Sequence, residues 1–245
     1  HLPRGWARQP AAAGPLNHEA QQPPLYYLLM APVQWAAGEA PLPARVLLMR
    51  LATLLATSLV IPLAFAAGRR VLPGEGPAAA LAALIAAMPG FTMTACRVGN
   101  DGVAAVIFAA LLCLMLRERP PAFSCGVLLG AGLLTKAYFL TAIPAMAAVY
   151  AWKRRWRGAA AAFLTAGLLS GWWYWRNRTL TGSWSGLQQV AGSDLPVWRV
   201  LGHIPQVDWA RFFDIAFLSH IWIGNWSFLQ LRGWMYRVFA LIVLT

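Results

Sequence analysis

The chain has 245 residues, of which 59% are hydrophobic and 11% charged, and its mean hydropathy is +0.55. A water-soluble domain carries about 25% charged residues, so the composition weighs against an ordinary soluble protein, and the 13 tryptophans suit interfacial aromatic belts. The net charge of +12 does not point to nucleic acid. The cations fall in short clusters between apolar runs, at Arg69-Arg70, Arg117-Glu118-Arg119 and Lys153-Arg154-Arg155-Trp156-Arg157, which is the pattern of cytoplasmic loops facing anionic lipid.

Residues 1–44 are rich in Pro, Ala and Gln. They read as an external loop with a short interfacial helix over 24–35. Within them, Asn17-His18-Glu19-Ala20-Gln21-Gln22-Pro23-Pro24-Leu25-Tyr26-Tyr27 gathers an amide, an imidazole and a carboxylate just before the first long apolar run. A carboxylate beside an imidazole can take a proton from a hydroxyl acceptor or hold a divalent metal, and the prolines stiffen the segment by fixing φ. The alternative is an ordinary interfacial loop whose polar groups meet water.

The apolar runs predict an all-α, polytopic transmembrane bundle of about seven spans. The first covers 45–67, long enough at 1.5 Å per residue for about 30 Å of hydrocarbon. The second covers 77–96 and the third 102–116, separated by the polar turn Arg97-Val98-Gly99-Asn100-Asp101-Gly102. The stretch 123–152 is too long for one span and short for two. A break near Lys136 puts all the clustered cations on one side, so the positive-inside rule favours two. A further span over 158–175 ends at Arg176-Asn177-Arg178. Residues 176–233 form a long external Trp-rich loop in which 208–222 reads as an amphipathic surface helix. A last span begins near Trp234. The chain starts mid-loop and stops inside an apolar run, so it reads as an internal fragment of a longer multipass protein.

This topology puts 1–44, the 97–102 turn, Lys136 and 176–233 on the non-cytoplasmic side. Arg97, Asn100 and Asp101 within five residues call for partners. Asp101 also suits the N-terminal end of the next helix, an explanation that leaves Arg97 unaccounted for. Lys136 either snorkels to the interface or meets an anionic group. Arg176 reads equally as part of an aromatic belt with helix-end cations. Cys96, Cys113 and Cys125 have no metal-ligand spacing and read as buried structural thiols.

Five segments, in order, resemble one family. "HEAQQPPLYYLL" is similar to the Pro-Pro-Leu-Tyr loop of the large multipass GT-C glycosyltransferases, the relatives of protein O-mannosyltransferases and bacterial lipid A aminoarabinose transferases. "ARVLLMRLATLL" looks like the span that follows, and "CRVGNDGVAAVIFAALL" like the asparagine-aspartate turn. "GAGLLTKAYFLTAIPA" resembles the Thr-Lys segment, and "WWYWRNRTLTGSW" the aromatic-Arg-Asn exit.

The resemblance implies an enzyme of the bacterial plasma (inner) membrane. It would transfer a sugar from a polyprenyl-phosphate donor to an external glycan, lipid or protein acceptor. The family's usual catalytic aspartate would precede His1. By match, His18, Glu19 and Asp101 are the catalytic candidates, and Gln22, Tyr26, Arg97, Asn100, Lys136 and Arg176 the substrate-binding ones. Arg97 and Lys136 would meet the carrier phosphate. No Gly-rich phosphate loop precedes a helix, and no cofactor is called for beyond the divalent metal that His18 and Glu19 could hold. A transporter or flippase would want mid-membrane polar groups and broken helices. A non-catalytic scaffold would need no clustered acids.

Overall fold

The computed structural model describes residues 22–182, 184, 202–221 and 232–244. His18 and Glu19 lie outside the described residues. Every regular element among the described residues is helical. The helices are α1 (Leu25–Ala37), α2 (Leu42–Ser58), α3 (Val60–Val71), α4 (Glu75–Ala87), α5 (Pro89–Ala95), α6 (Asn100–Met115), α7 (Ala122–Leu133), α8 (Ala142–Trp152), α9 (Trp156–Thr181), α10 (Trp209–Ile221) and α11 (Gly233–Leu244). A 3-10 turn, Ala137–Thr141, joins α7 to α8.

The all-α expectation holds, but the expected seven spans are not supported. Among the described residues only α2 and α3, which run on as one helix over Leu42–Val71, are as a single helix long and apolar enough to cross a bilayer. The 18-residue stretch that qualifies is 17% buried. Leu47, Leu51, Leu55 and Leu59 are exposed along it, an apolar surface of the kind that meets lipid or a protein partner. The expected second span is broken: α4 and α5 meet at 64° where Met88 precedes Pro89, because a residue before proline is driven out of the helical region. The third span and the two halves about Lys136 form helices of 16, 12 and 11 residues, each short of the ~20 a perpendicular crossing needs. Helix α9 has 26 residues, but Trp172, Trp173, Tyr174 and Trp175 lower its apolarity.

The core lies where α7 is held between α6 and α9, with Cys125, Leu129, Phe139, Tyr150 and Ala162 all but inaccessible. Small residues allow the close approach. A methyl added at Gly126 would lie 2.5 Å from the Ala162 carbonyl oxygen, and one at Gly130 would lie 3.0 Å from Leu169. This is the small-xxx-small device of apolar helix pairs. Helix α9 ends at Gly182, whose φ of 75° is left-handed and whose N–H returns to the Arg178 carbonyl at 3.1 Å.

The basic clusters meet at one end of the bundle. Arg70 donates to the Cys113 carbonyl, and Lys153 donates to those of Met115 (2.9 Å) and Arg117. Cations there satisfy the orphan carbonyls ending α6 and complement its dipole. The opposite end carries the polar turns. Of the three thiols, Cys113 and Cys125 are buried as expected; Cys96 is not, because it ends the short α5 and is exposed.

Candidate functional site

At the polar end, three segments distant in sequence converge, and the prolines decide how. Pro23 and Pro24 have no N–H, so Leu25 supplies the first free backbone donor before α1. It reaches the Leu134 carbonyl at 2.8 Å, docking the start of α1 on the end of α7. That places Gln22 against the N-terminus of α6. Its Oε1 accepts from Asn100 Nδ2 at 3.3 Å. The same Asn100 amide donates to the Thr135 carbonyl at 3.1 Å, using both amide protons. Thr135 is fully buried, and its hydroxyl donates to the Ala131 carbonyl at 2.8 Å.

Beside this amide bridge, Lys136 Nζ pairs with Asp101 Oδ1 and lies 5.5 Å from the centre of the Tyr138 ring. Asp101 keeps about half its side chain exposed, at 53%, and Lys136 keeps 26%. At that exposure the pair contributes less than about 1 kcal/mol to stability. Both charges also complement helix ends, Asp101 in the first turn of α6 and Lys136 just past α7. Asp101 does not cap α6 by hydrogen bond. The N-cap is Gly99, and no side chain bonds there, which leaves the carboxylate free to face Lys136.

The depth of the cluster follows from its packing. Gly102 is pressed against Thr57, and a methyl there would collide with the Thr57 hydroxyl. Thr57 stands 13 positions from Arg70 along the continuous α2–α3 helix, about 20 Å at 1.5 Å per residue. The cluster therefore sits about 20 Å from the basic end.

Three expected residues lie elsewhere. Tyr26 turns into the core at 2% exposure. Its hydroxyl shares a hydrogen bond with Thr53 Oγ1 at 3.1 Å, and Thr53 in turn donates to the Met49 carbonyl at 2.9 Å. Helix packing claims it, and it cannot touch a substrate without leaving the core. Arg176 is exposed on α9, stacked 4.7 Å over Trp173 and donating to Asn177 Oδ1 at 3.4 Å, the belt arrangement. Arg97 lines a groove with Arg45 and Arg50, whereas Lys136 pairs with Asp101.

Sequence reasoning overlooked Thr135, whose carbonyl receives Asn100, and Thr57, against which Gly102 must pack. The signal was a glycine directly after Asp101 and a threonine directly before Lys136. Among the described residues no three His, Cys, Asp or Glu side chains gather as a metal site. No protein-family model, curated protein or solved structure gives a significant match to this chain.

Proposed function

We propose that this chain belongs to a multipass membrane glycosyltransferase that moves a sugar from a polyprenyl-phosphate donor to an acceptor on the external face. The observation that carries the reading is the meeting of Gln22, Asn100, Asp101 and Lys136 from three segments, about 20 Å from the basic end of the bundle. A paired acid and cation held in register by two amides supply what proton removal from an acceptor hydroxyl and stabilisation of a departing phosphate require.

In this reading Asp101 accepts the proton of the attacking acceptor hydroxyl, and the Lys136 ammonium faces the charge that grows on the departing polyprenyl phosphate. Asn100 and Gln22 hold the two charged residues in register by tying the start of α6 to the end of α7. The bent α4–α5 pair then crosses the bilayer in combination, while α7 and α8 pass out and back about Lys136, both anchored at the basic end. The bacterial plasma membrane is the proposed location. The acceptor is an external glycan, lipid or protein.

The test is sugar transfer in membranes from a synthetic labelled polyprenyl-phosphate sugar to endogenous acceptors. Asp101→Asn and Lys136→Met should each lower the rate by about 100-fold or more, the range for a lost acid–base group or a lost charge stabiliser. Transfer unchanged in both variants would remove the assignment.

A second reading, a transporter or flippase, is favoured by one observation: helices broken at Met88 and between Leu133 and Ala142. Uptake of a labelled substrate into proteoliposomes without any covalent product would support it over the enzyme.

A further inference from the structure

A second polar feature stands apart from the Asp101–Lys136 cluster. Arg45 and Arg50 of α2 and Arg97, just past α5, line one groove of about 360 Å³. Val46 and Met49 form part of its apolar wall. Gln34 of α1, with its amide oxygen turned toward the guanidinium, accepts from Arg45 Nε at 2.9 Å and holds that arginine in place. Among the described residues no carboxylate pairs with any of the three arginines. Three uncompensated guanidinium groups around one concavity repel one another, which favours an anion between them.

The height of the groove identifies the anion. Arg50 stands 20 positions from Arg70 on the continuous α2–α3 helix, which is about 30 Å, one hydrocarbon thickness. Arg45 lies five positions further out. The groove is thus at headgroup level on the far face, about 10 Å above the Asp101–Lys136 cluster, and α2 below it exposes leucines to lipid. Guanidinium groups match phosphate oxygens in paired hydrogen bonds, and the apolar wall suits the glycerol and first methylenes of an acyl chain.

We propose that this groove holds the phosphate of an anionic membrane phospholipid, a resident lipid and not the sugar donor. The inference rests on the membrane placement of α2–α3 and is independent of the transfer reaction. A bound lipid would clamp α1, α2 and the end of α5 together above the Asp101–Lys136 cluster.

The experiment is native mass spectrometry of the full chain purified in detergent and titrated with phosphatidylglycerol or phosphatidylcholine. One phosphatidylglycerol should be retained in preference to phosphatidylcholine. Arg50→Gln and Arg97→Gln should each weaken it about fivefold, the worth of one cation near an anionic lipid, while Arg50→Lys should stay within about twofold. Arg50→Lys, which keeps the charge, separates loss of the cation from a folding defect.

Equal retention of the two lipids, or phosphatidylglycerol binding unchanged in the glutamine variants, would overturn the proposal. Displacement by inorganic phosphate or glycerol phosphate at matching concentration would overturn it in favour of a free-anion site. Displacement by stoichiometric polyprenyl phosphate would overturn it by making the groove part of the donor site. A failed sugar-transfer assay alters none of these readings.

Discussion

Gly132 is the position through which packing most directly reaches the candidate site. It is the penultimate residue of α7, three positions before Thr135. The Phe139 ring lies flat against it, so a methyl added there would fall inside ring contact, 2.6 Å from Phe139 Cγ. Carbon atoms sit comfortably at about 3.5–4.0 Å, and Phe139 Cδ1 and Cε1 lie closer still than Cγ, so the ring must retreat by more than about 1 Å. Phe139 is 1% exposed and has no free space behind it. Overpacking of this kind costs about 1–3 kcal/mol. Replacing glycine by alanine in a helix returns at most about 1 kcal/mol, less near a helix end.

Gly132→Ala should therefore lose about 1 kcal/mol net. Gly167→Ala, in the open middle of α9 with nothing within 4 Å, should gain up to about 1 kcal/mol. For a chain of this size each kilocalorie moves Tm by about 2–4 °C, so thermal unfolding in detergent should separate the two variants by about 4–8 °C. A retreating ring also drags the 3-10 turn and with it Lys136, so transfer should fall in Gly132→Ala and not in Gly167→Ala. A Gly132→Ala protein as stable as Gly167→Ala would refute the packing argument.

Further outcomes follow from the same geometry. Tyr26→Phe should cost about 0.5–1.5 kcal/mol, because the Tyr26–Thr53 hydrogen bond is lost while Thr53 keeps the Met49 carbonyl; loss of transfer with an unchanged Tm would instead restore Tyr26 to the substrate. Glu75→Gln should change Tm by less than about 1 °C, since the Arg69–Glu75 pair at 3.2 Å is 55% and 72% exposed; a drop of several degrees would show that the pair anchors the α3–α4 turn. Cys96 should react with a membrane-impermeant maleimide applied outside intact cells, while Cys113 and Cys125 resist until denaturation. Labelling of Cys96 only after permeabilisation would invert the proposed topology.

Much of the candidate site was legible as separate pieces. Asn100, Asp101, Lys136 and Gln22 each stood out because polar groups beside apolar runs need partners. The break near Lys136 was readable from charge bias alone. What stayed hidden was which partner each would take. Arg97 and Lys136 looked equivalent as cations beside an external turn, yet the fold sends one to α2 and the other to Asp101. Tyr26 looked like a binding residue because it follows a polar loop, and periodicity could not say that its side of α1 faces Thr53.

By itself the sequence determined the helical class, the break near Lys136 and the gathering of the basic clusters at one end. These depend on local chemistry: apolar runs, prolines, and cations that terminate helices. Only the tertiary structure decided the depth of the cluster and its membership. Those depend on contacts between residues as far apart as Gln22 and Asn100, or Asn100 and Thr135, and on the small residues Gly102, Gly126 and Gly132, whose missing side chains let the helices close. The count of crossing helices also waited on the fold, because Pro89 and the turn after Leu133 shorten runs that hydropathy alone reads as spans.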